Sequence, residues 1–358
     1  MYKKFFMGIA AMAALTLVSC SSDDLNSLSD NSSKNEAISF DSYLGRSAVS
    51  VNGSRGSVVK KETLKTEGFG VFGNYNSTGG QNFGSNLFDN VKVYSSSTAD
   101  PVKWTYDNTK YWPTQGHIDF LAYAPYDKNT TLNTTLEEKM TSCINFTVEN
   151  TVTEQKDLLW ANAEDQTKAN NSGTKKVEFT FNHALAKIGY KVKLNNAYSN
   201  ATITLKKITL AGSADGNTPA FYKTGTIDLS KTSSEGLWTV QSSNDKQKFD
   251  WFSNNTQILS TTGYTNPTTD CLFVIPQDFS KTEEGADKLY VIVDYTIKYN
   301  NRETAEMKST VSSQIKNNFL QGKAYTINLT IGLTPIDFNV EVVKGWVDDN
   351  TIPEIPLN

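Results

Sequence analysis

The chain alternates apolar and polar positions with a period of two, the mark of strands that bury one face and expose the other. Phe69, Val71, Gly73 and Tyr75 fall on one face of a candidate strand, and Val102, Trp104 and Tyr106 on one face of another. The pattern returns at Ile144, Phe146 and Val148, at Val177, Phe179 and Phe181, and at Ile188, Tyr190, Val192 and Leu194. Its longest run is Leu289, Val291, Val293, Tyr295, Ile297 and Tyr299. Asn300-Asn301 then supplies a turn, and the return from Glu303 to Val311 predicts a long antiparallel hairpin. Tyr325, Ile327, Leu329 and Ile331 alternate again near the end. Helical periodicity is scarce, with one candidate short turn or helix at Leu132 to Met140. Strands punctuated by Gly, Asn, Asp and Pro predict an all-β chain of packed sandwiches. Residues 162–175, rich in Asn and Gly, read as a loop inside a domain because a patterned strand follows at once. A domain boundary is expected after Phe181-Asn182-His183-Ala184, giving one sandwich over 37–184 and a second over 185–358, with Phe179, Phe181, Val291 and Val293 in the cores.

The first residues follow a different rule. Lys3 and Lys4 precede an apolar run from Phe5 to Val18, too short for the roughly 20 residues a bilayer core requires. It fits the apolar region of a secretory signal. Leu17-Val18-Ser19-Cys20 resembles the bacterial lipobox, which implies a signal peptide over 1–19 and a lipid on Cys20; the bland reading is an ordinary signal peptide with an incidental cysteine. Ser21-Ser22-Asp23-Asp24 resembles the acidic tag of surface-exposed lipoproteins of Bacteroidetes, and residues 20–36 read as a polar tether.

Composition narrows the function classes. The 358 residues carry a net charge of only −4 with no basic block, which argues against nucleic acid as a partner. Sixteen Tyr, eighteen Phe and twenty-two Gly suit strands and turns. Past Cys20 only Cys143 and Cys271 remain, so this is no disulfide scaffold, and two free thiols are expected. The two histidines, His117 and His183, leave little material for a catalytic or metal site, and each reads as a structural, hydrogen-bonded histidine. No nucleophile elbow, paired-cysteine motif or phosphate loop occurs, so no enzyme activity, cofactor or metal is expected. Asp119, Asp127 and Asp157 are the carboxylates that a glycosidase-like pairing would draw on. Trp104, Tyr106, Tyr111 and Trp112 form either a sugar-stacking platform or, as aromatic residues at strand spacing more often do, core packing.

Several segments in order carry a family resemblance. "GFGVFGNY" (68–75), "KWTYDNTKYWPTQGHIDFLAYAP" (103–125), "DLLWA" (157–161), "FTFNHALAKIGYKV" (179–192), "LFVIPQ" (272–277), "GKAYTINLTIG" (322–332) and Trp346 together resemble the fimbrillins of Bacteroidales. The resemblance implies two tandem transthyretin-like β-sandwich domains and a type V pilus subunit or pilus-associated lipoprotein at the outer membrane. It also implies assembly by donor-strand exchange: a protease cuts after an arginine, an N-terminal strand leaves, and a neighbouring pilin's strand fills the groove. Here Ile38, Phe40 and Leu44 would belong to the removable strand, with Arg46 the favoured cleavage site and Arg55 the second. Ile352, Ile355 and Leu357 are candidate donor plugs, although Pro353 and Pro356 fit poorly in a paired strand. The implied partners are other pilin subunits, the membrane through its lipid, and a host or bacterial surface ligand. The competing reading is a surface glycan-binding lipoprotein using Trp104, Tyr111 and Trp112.

Overall fold

The computed structural model describes residues 36–44, 59, 61–76, 86–95, 97, 102–135, 141–171, 175–240, 245–263, 271–300, 306–333 and 337–343. In chain order the first half comprises β1 (Phe40–Leu44), α1 (Lys61–Glu67), β2 (Phe69–Asn76), β3 (Asn86–Ser95), β4 (Trp104–Thr105), β5 (His117–Ala124), β6 (Cys143–Thr147), β7 (Leu159–Gln166) and β8 (Val177–His183). The second half opens with β9 (Ala186–Leu194), β10 (Ala201–Ala211), β11 (Phe221–Tyr222), β12 (Thr224–Asp228), β13 (Trp238–Val240), β14 (Lys246–Gln247) and β15 (Phe249–Gln257). It closes with β16 (Leu272–Val274), β17 (Gln277–Asp278), β18 (Leu289–Tyr299), β19 (Glu306–Ile315), β20 (Asn318–Phe319), β21 (Ala324–Ile331) and β22 (Asp337–Val343). The protein is an all-β sandwich fold, as the alternation predicts.

Seven strands form one sheet in the order β1-β8-β7-β5-β2-β3-β4. Its two faces serve different cores, because residues of odd and even parity point opposite ways. Phe69, Val71, Ile118, Phe120, Ala122, Phe179 and Phe181 bury into a cluster that also holds Ile38, Phe40, Phe88 and Trp112. Phe72, Leu121, Tyr123 and Trp160 point the other way and join a larger cluster that runs through the second half. There, the sheets β15-β10-β18-β19 and β16-β9-β21-β22 contribute their inner faces. The alternation in β9 is complete, every second side chain buried from Ala186 to Leu194. Tyr190 meets Trp251 edge-on at 4.7 Å between centroids, tying the sheets together.

The long hairpin is present as β18 and β19, paired from Leu289↔Ile315 to Lys298↔Glu306. The expected core residues Phe179, Phe181, Val291 and Val293 are all fully buried. Three differences stand out. The described part of Leu132–Met140 is not helical, whereas Lys61–Glu67 is. That helix ends where Gly68 takes φ +76° and donates its N–H to the Leu64 carbonyl at 2.9 Å, a left-handed cap that glycine adopts without strain. Within 162–175, β7 extends as far as Gln166, and residues 167–171 then form turn and bend. Finally, β6, from the first half of the chain, pairs antiparallel with β12, from Thr224↔Thr147 to Asp228↔Cys143. That pairing laces together the two halves that alternation alone treats as separate. The crossing at residues 183–186 is clamped as well: Trp238 Nε1 donates to Ala184 O at 2.8 Å, and Gly322 N to Leu185 O at 2.9 Å. Among the described residues no helix is long and apolar enough to cross a membrane.

Candidate assembly groove

The segment Glu36–Leu44 fills a slot between two walls. On one side β1 pairs in parallel with β8, Phe40 opposite Val177, Ser42 opposite Phe179 and Leu44 opposite Phe181. The Val177 N–H reaches Ser39 O at 2.9 Å. On the other side Ile38 N donates to Lys110 O at 2.8 Å, Trp112 N donates to Glu36 O at 3.0 Å, and Ala37 bridges Tyr111. The segment thus links the two ends of the seven-stranded sheet. Parallel strands need a long connection instead of a tight turn. No hairpin therefore ties β1 to β8, and apart from the chain connection through residues 45–58 it is held in the slot by non-covalent contacts.

Side chains follow the alternation. Ile38 and Phe40 are buried and half-buried Leu44 packs on the same cluster, while Tyr43 on the opposite parity is exposed. Asp41 also turns outward, 3.8 Å from Lys176 Nζ. The Phe40 ring is surrounded by those of Phe88, Tyr106, Phe120 and Phe179 at centroid distances of 5.5, 5.6, 5.4 and 5.7 Å. Full burial of such a side chain is worth about 1.5–3 kcal/mol. Each favourable ring pair adds about 0.5–1.5 kcal/mol. Tyr106 locks the backbone beside it, its hydroxyl donating to Ile38 O at 2.8 Å. Burial pushes that phenol's pKa up, so it remains a protonated donor at neutral pH.

The chain is anchored again just beyond. Val59 and Leu64 are buried, and the Val59 N–H donates to Asp157 Oδ2 at 3.1 Å. The same carboxylate oxygen lies 2.7 Å from His183 Nδ1, with both side chains almost fully buried. Residues 45–58, which contain Arg46 and Arg55, therefore join two anchored points. Both arginines lie outside the described residues, as do Cys20, most of the tether, Trp346 and the candidate plugs Ile352, Ile355 and Leu357.

The aromatic residues 104–112 serve the slot more than the solvent. Trp112 is buried and meets Phe120 edge-on at 6.3 Å; Trp104 packs on Phe69 at 5.1 Å; Tyr106 packs on Phe40. Only Tyr111 of the four is exposed, so they form no open stacking platform. Asp119 and Asp157 are not paired with each other. Asp157 meets His183, and Asp119 lies near His117, while Asp127 caps its own turn by accepting the Asn129 N–H at 2.9 Å. Cys143 and Cys271 are free thiols, and burial raises the pKa of Cys143. The Asp157 anchor and the Tyr106 hydroxyl had no signal in the sequence, because each works on backbone far away along the chain.

The fimbrillin-like family model matches residues 58–346, and the chain belongs to that family. The match begins just past Arg55 and leaves β1 outside it. A fimbrial protein from Bacteroides vulgatus is 23% identical, with 87% of this chain and 100% of that chain covered at a TM-score of 0.65. A candidate cell adhesion protein from Bacteroides uniformis is 17% identical over 88% of this chain and 98% of that one, with a TM-score of 0.50. No curated protein sequence matches.

Proposed function

We propose that this chain is a structural subunit of a cell-surface fimbria, assembled by protease-triggered donor-strand exchange and contributing to adhesion. One observation carries the reading. The segment 36–44, with β1 in it, lies in a slot of the first sheet without a hairpin, buries Ile38 and Phe40, and precedes two arginines set between anchored points. Cutting after Arg46 would leave β1 tied to the subunit by non-covalent contacts alone. Its loss would bare a row of pockets and an unpaired edge along β8, which another chain's strand could occupy by β-augmentation. The partners are then other pilin subunits, with donor side chains such as Ile352, Ile355 and Leu357 as candidates for the pockets. In the same reading a lipid on Cys20 holds the exported precursor at the outer membrane, and the two halves are transthyretin-like sandwiches joined near residue 185. The glycan-binding alternative has less support, since of its three aromatic residues Trp112 is buried and Trp104 packs half-buried on the same core, which leaves Tyr111 exposed.

Limited trypsin treatment of the folded full chain, followed by N-terminal sequencing and sizing, tests the proposal. A new terminus at Ser47 and concentration-dependent oligomers are expected, with Arg46→Ala blocking both unless cleavage moves to Arg55. A cut product that stays monomeric and binds no peptide spanning 345–358 would sink donor-strand exchange for this chain.

A further inference from the structure

On the face of the first sheet opposite Phe120, β5 and β7 bring an imidazole and two carboxylates together. In the β2–β5 ladder Asn74 stands opposite Asp119 and Asn76 opposite His117, so these four side chains share one face. The β5–β7 ladder shifts register between Ile118 and Phe120, and this irregularity brings Asp165 to the same point. One ligating atom from each of His117, Asp119 and Asp165 lies within 4.8 Å of the others. His117 Nε2 is 3.4 Å from Asp119 Oδ2 and 3.6 Å from Asp165 Oδ1. Both separations exceed the roughly 2.7–3.2 Å of a good N–H···O hydrogen bond. They fit another geometry: donors about 2.0–2.2 Å from one tetrahedral ion stand about 3.3–3.6 Å apart.

A second observation points the same way. Asn74 is fully buried, and neither its amide oxygen nor its amide nitrogen has a hydrogen-bond partner among the described residues. A buried amide is normally satisfied. Here the orphaned group stands on the ladder beside the buried Asp119. Asp119 is itself held in place, since its Oδ1 accepts the Asp165 N–H at 2.8 Å and leaves Oδ2 turned to His117. The Asp165 side chain is 86% exposed, which gives an ion a route from solvent.

We propose that His117, Asp119 and Asp165 form a binding site for a divalent first-row transition ion, Zn²⁺ or Mn²⁺, with the Asn74 amide oxygen as a further donor. Imidazole with carboxylate suits these ions, whereas Ca²⁺ and Mg²⁺ take oxygen ligands. The bound ion pins β2, β5 and β7 together at the register shift and stiffens that end of the sheet. The site is independent of the fimbrial reading.

The test uses untagged full chain stripped with a chelator, then titrated calorimetrically and by thermal melting with Zn²⁺, Mn²⁺, Ca²⁺ and Mg²⁺ in turn. One Zn²⁺ or Mn²⁺ per chain and a rise in Tm are expected. Asp165→Gly removes a ligand and tolerates the positive φ of +54° at that residue, so the variant should fold. It should bind the ion roughly tenfold or more weakly, and His117→Gln should do the same. No binding of either ion, undiminished binding by both variants, or tighter binding of Ca²⁺ or Mg²⁺ would overturn the proposal.

Discussion

Phe40 shows how much one side chain can carry. It is 1% exposed and touches four rings from strands or segments distant in sequence. Truncation of a buried Phe typically costs about 3–5 kcal/mol. Phe40→Ala is therefore expected to lower the uncut chain's unfolding free energy by that amount in urea melts, while leaving an Arg46-cut and strand-depleted protein unchanged. An equal loss in both forms would mean that Phe40 does not act through β1. Asp157 bears on the next stretch of chain. Removing one partner of a buried polar contact leaves the other unsatisfied, at about 1–3 kcal/mol for each group left bare. Asp157→Ala also orphans the Val59 N–H, so a loss in this range is expected, and a loss under about 1 kcal/mol would refute the anchoring role. None of these partnerships is legible in the sequence. Alternation shows that Phe40 points inward, but not which rings await it.

At the scale of elements, β1 is held by partners that are all distant from it along the chain. It is five residues long, and its neighbours in the slot come from β8 and the 110–112 backbone. Local opening free energies are low where few contacts hold an element. Uncut protein should nonetheless protect β8 amides from hydrogen exchange, because the tether keeps β1 at high effective concentration. After cutting at Arg46, protection at Val177–Phe181 is expected to fall, and to return when a donor peptide binds. Mass spectrometry of exchange in the 175–183 peptide measures it; unchanged protection after loss of residues before Ser47 would contradict the model of an opened edge. The strands themselves were readable where the alternation is long, as in β9, β18 and β21. The strand read at Val102, Trp104 and Tyr106 is present but only two residues long, as β4, and the β6–β12 pairing was not legible, since register between distant strands leaves no local mark.

For the whole molecule, the seven-stranded sheet is shared: one face closes on β1 and the other packs against the second half. Strain or binding at the slot thus acts on a sheet whose back is fixed to the rest of the chain by β6, β12 and the clamp at residues 183–186. The proposed lipid anchor belongs to the other end of the chain. Cys20→Ala is expected to abolish incorporation of a palmitate analogue and to leave the protein off the outer membrane. Equal labelling of variant and wild type would remove the lipid anchor from the account.

The sequence by itself determined the all-β class, the inward parity of most long strands, the β18–β19 hairpin and the scarcity of catalytic material. These follow from side-chain periodicity and composition, which are local properties. Only the tertiary structure decided that the 104–112 aromatic residues line a slot instead of a surface, that Asp157 meets His183, and that β6 crosses to β12. It also decided that His117, Asp119, Asp165 and Asn74 share one end of a sheet. Each of these depends on which strand lies beside which and in what register. That choice is made by burying both faces of one sheet at once, a condition imposed by the whole chain and not by any window of it.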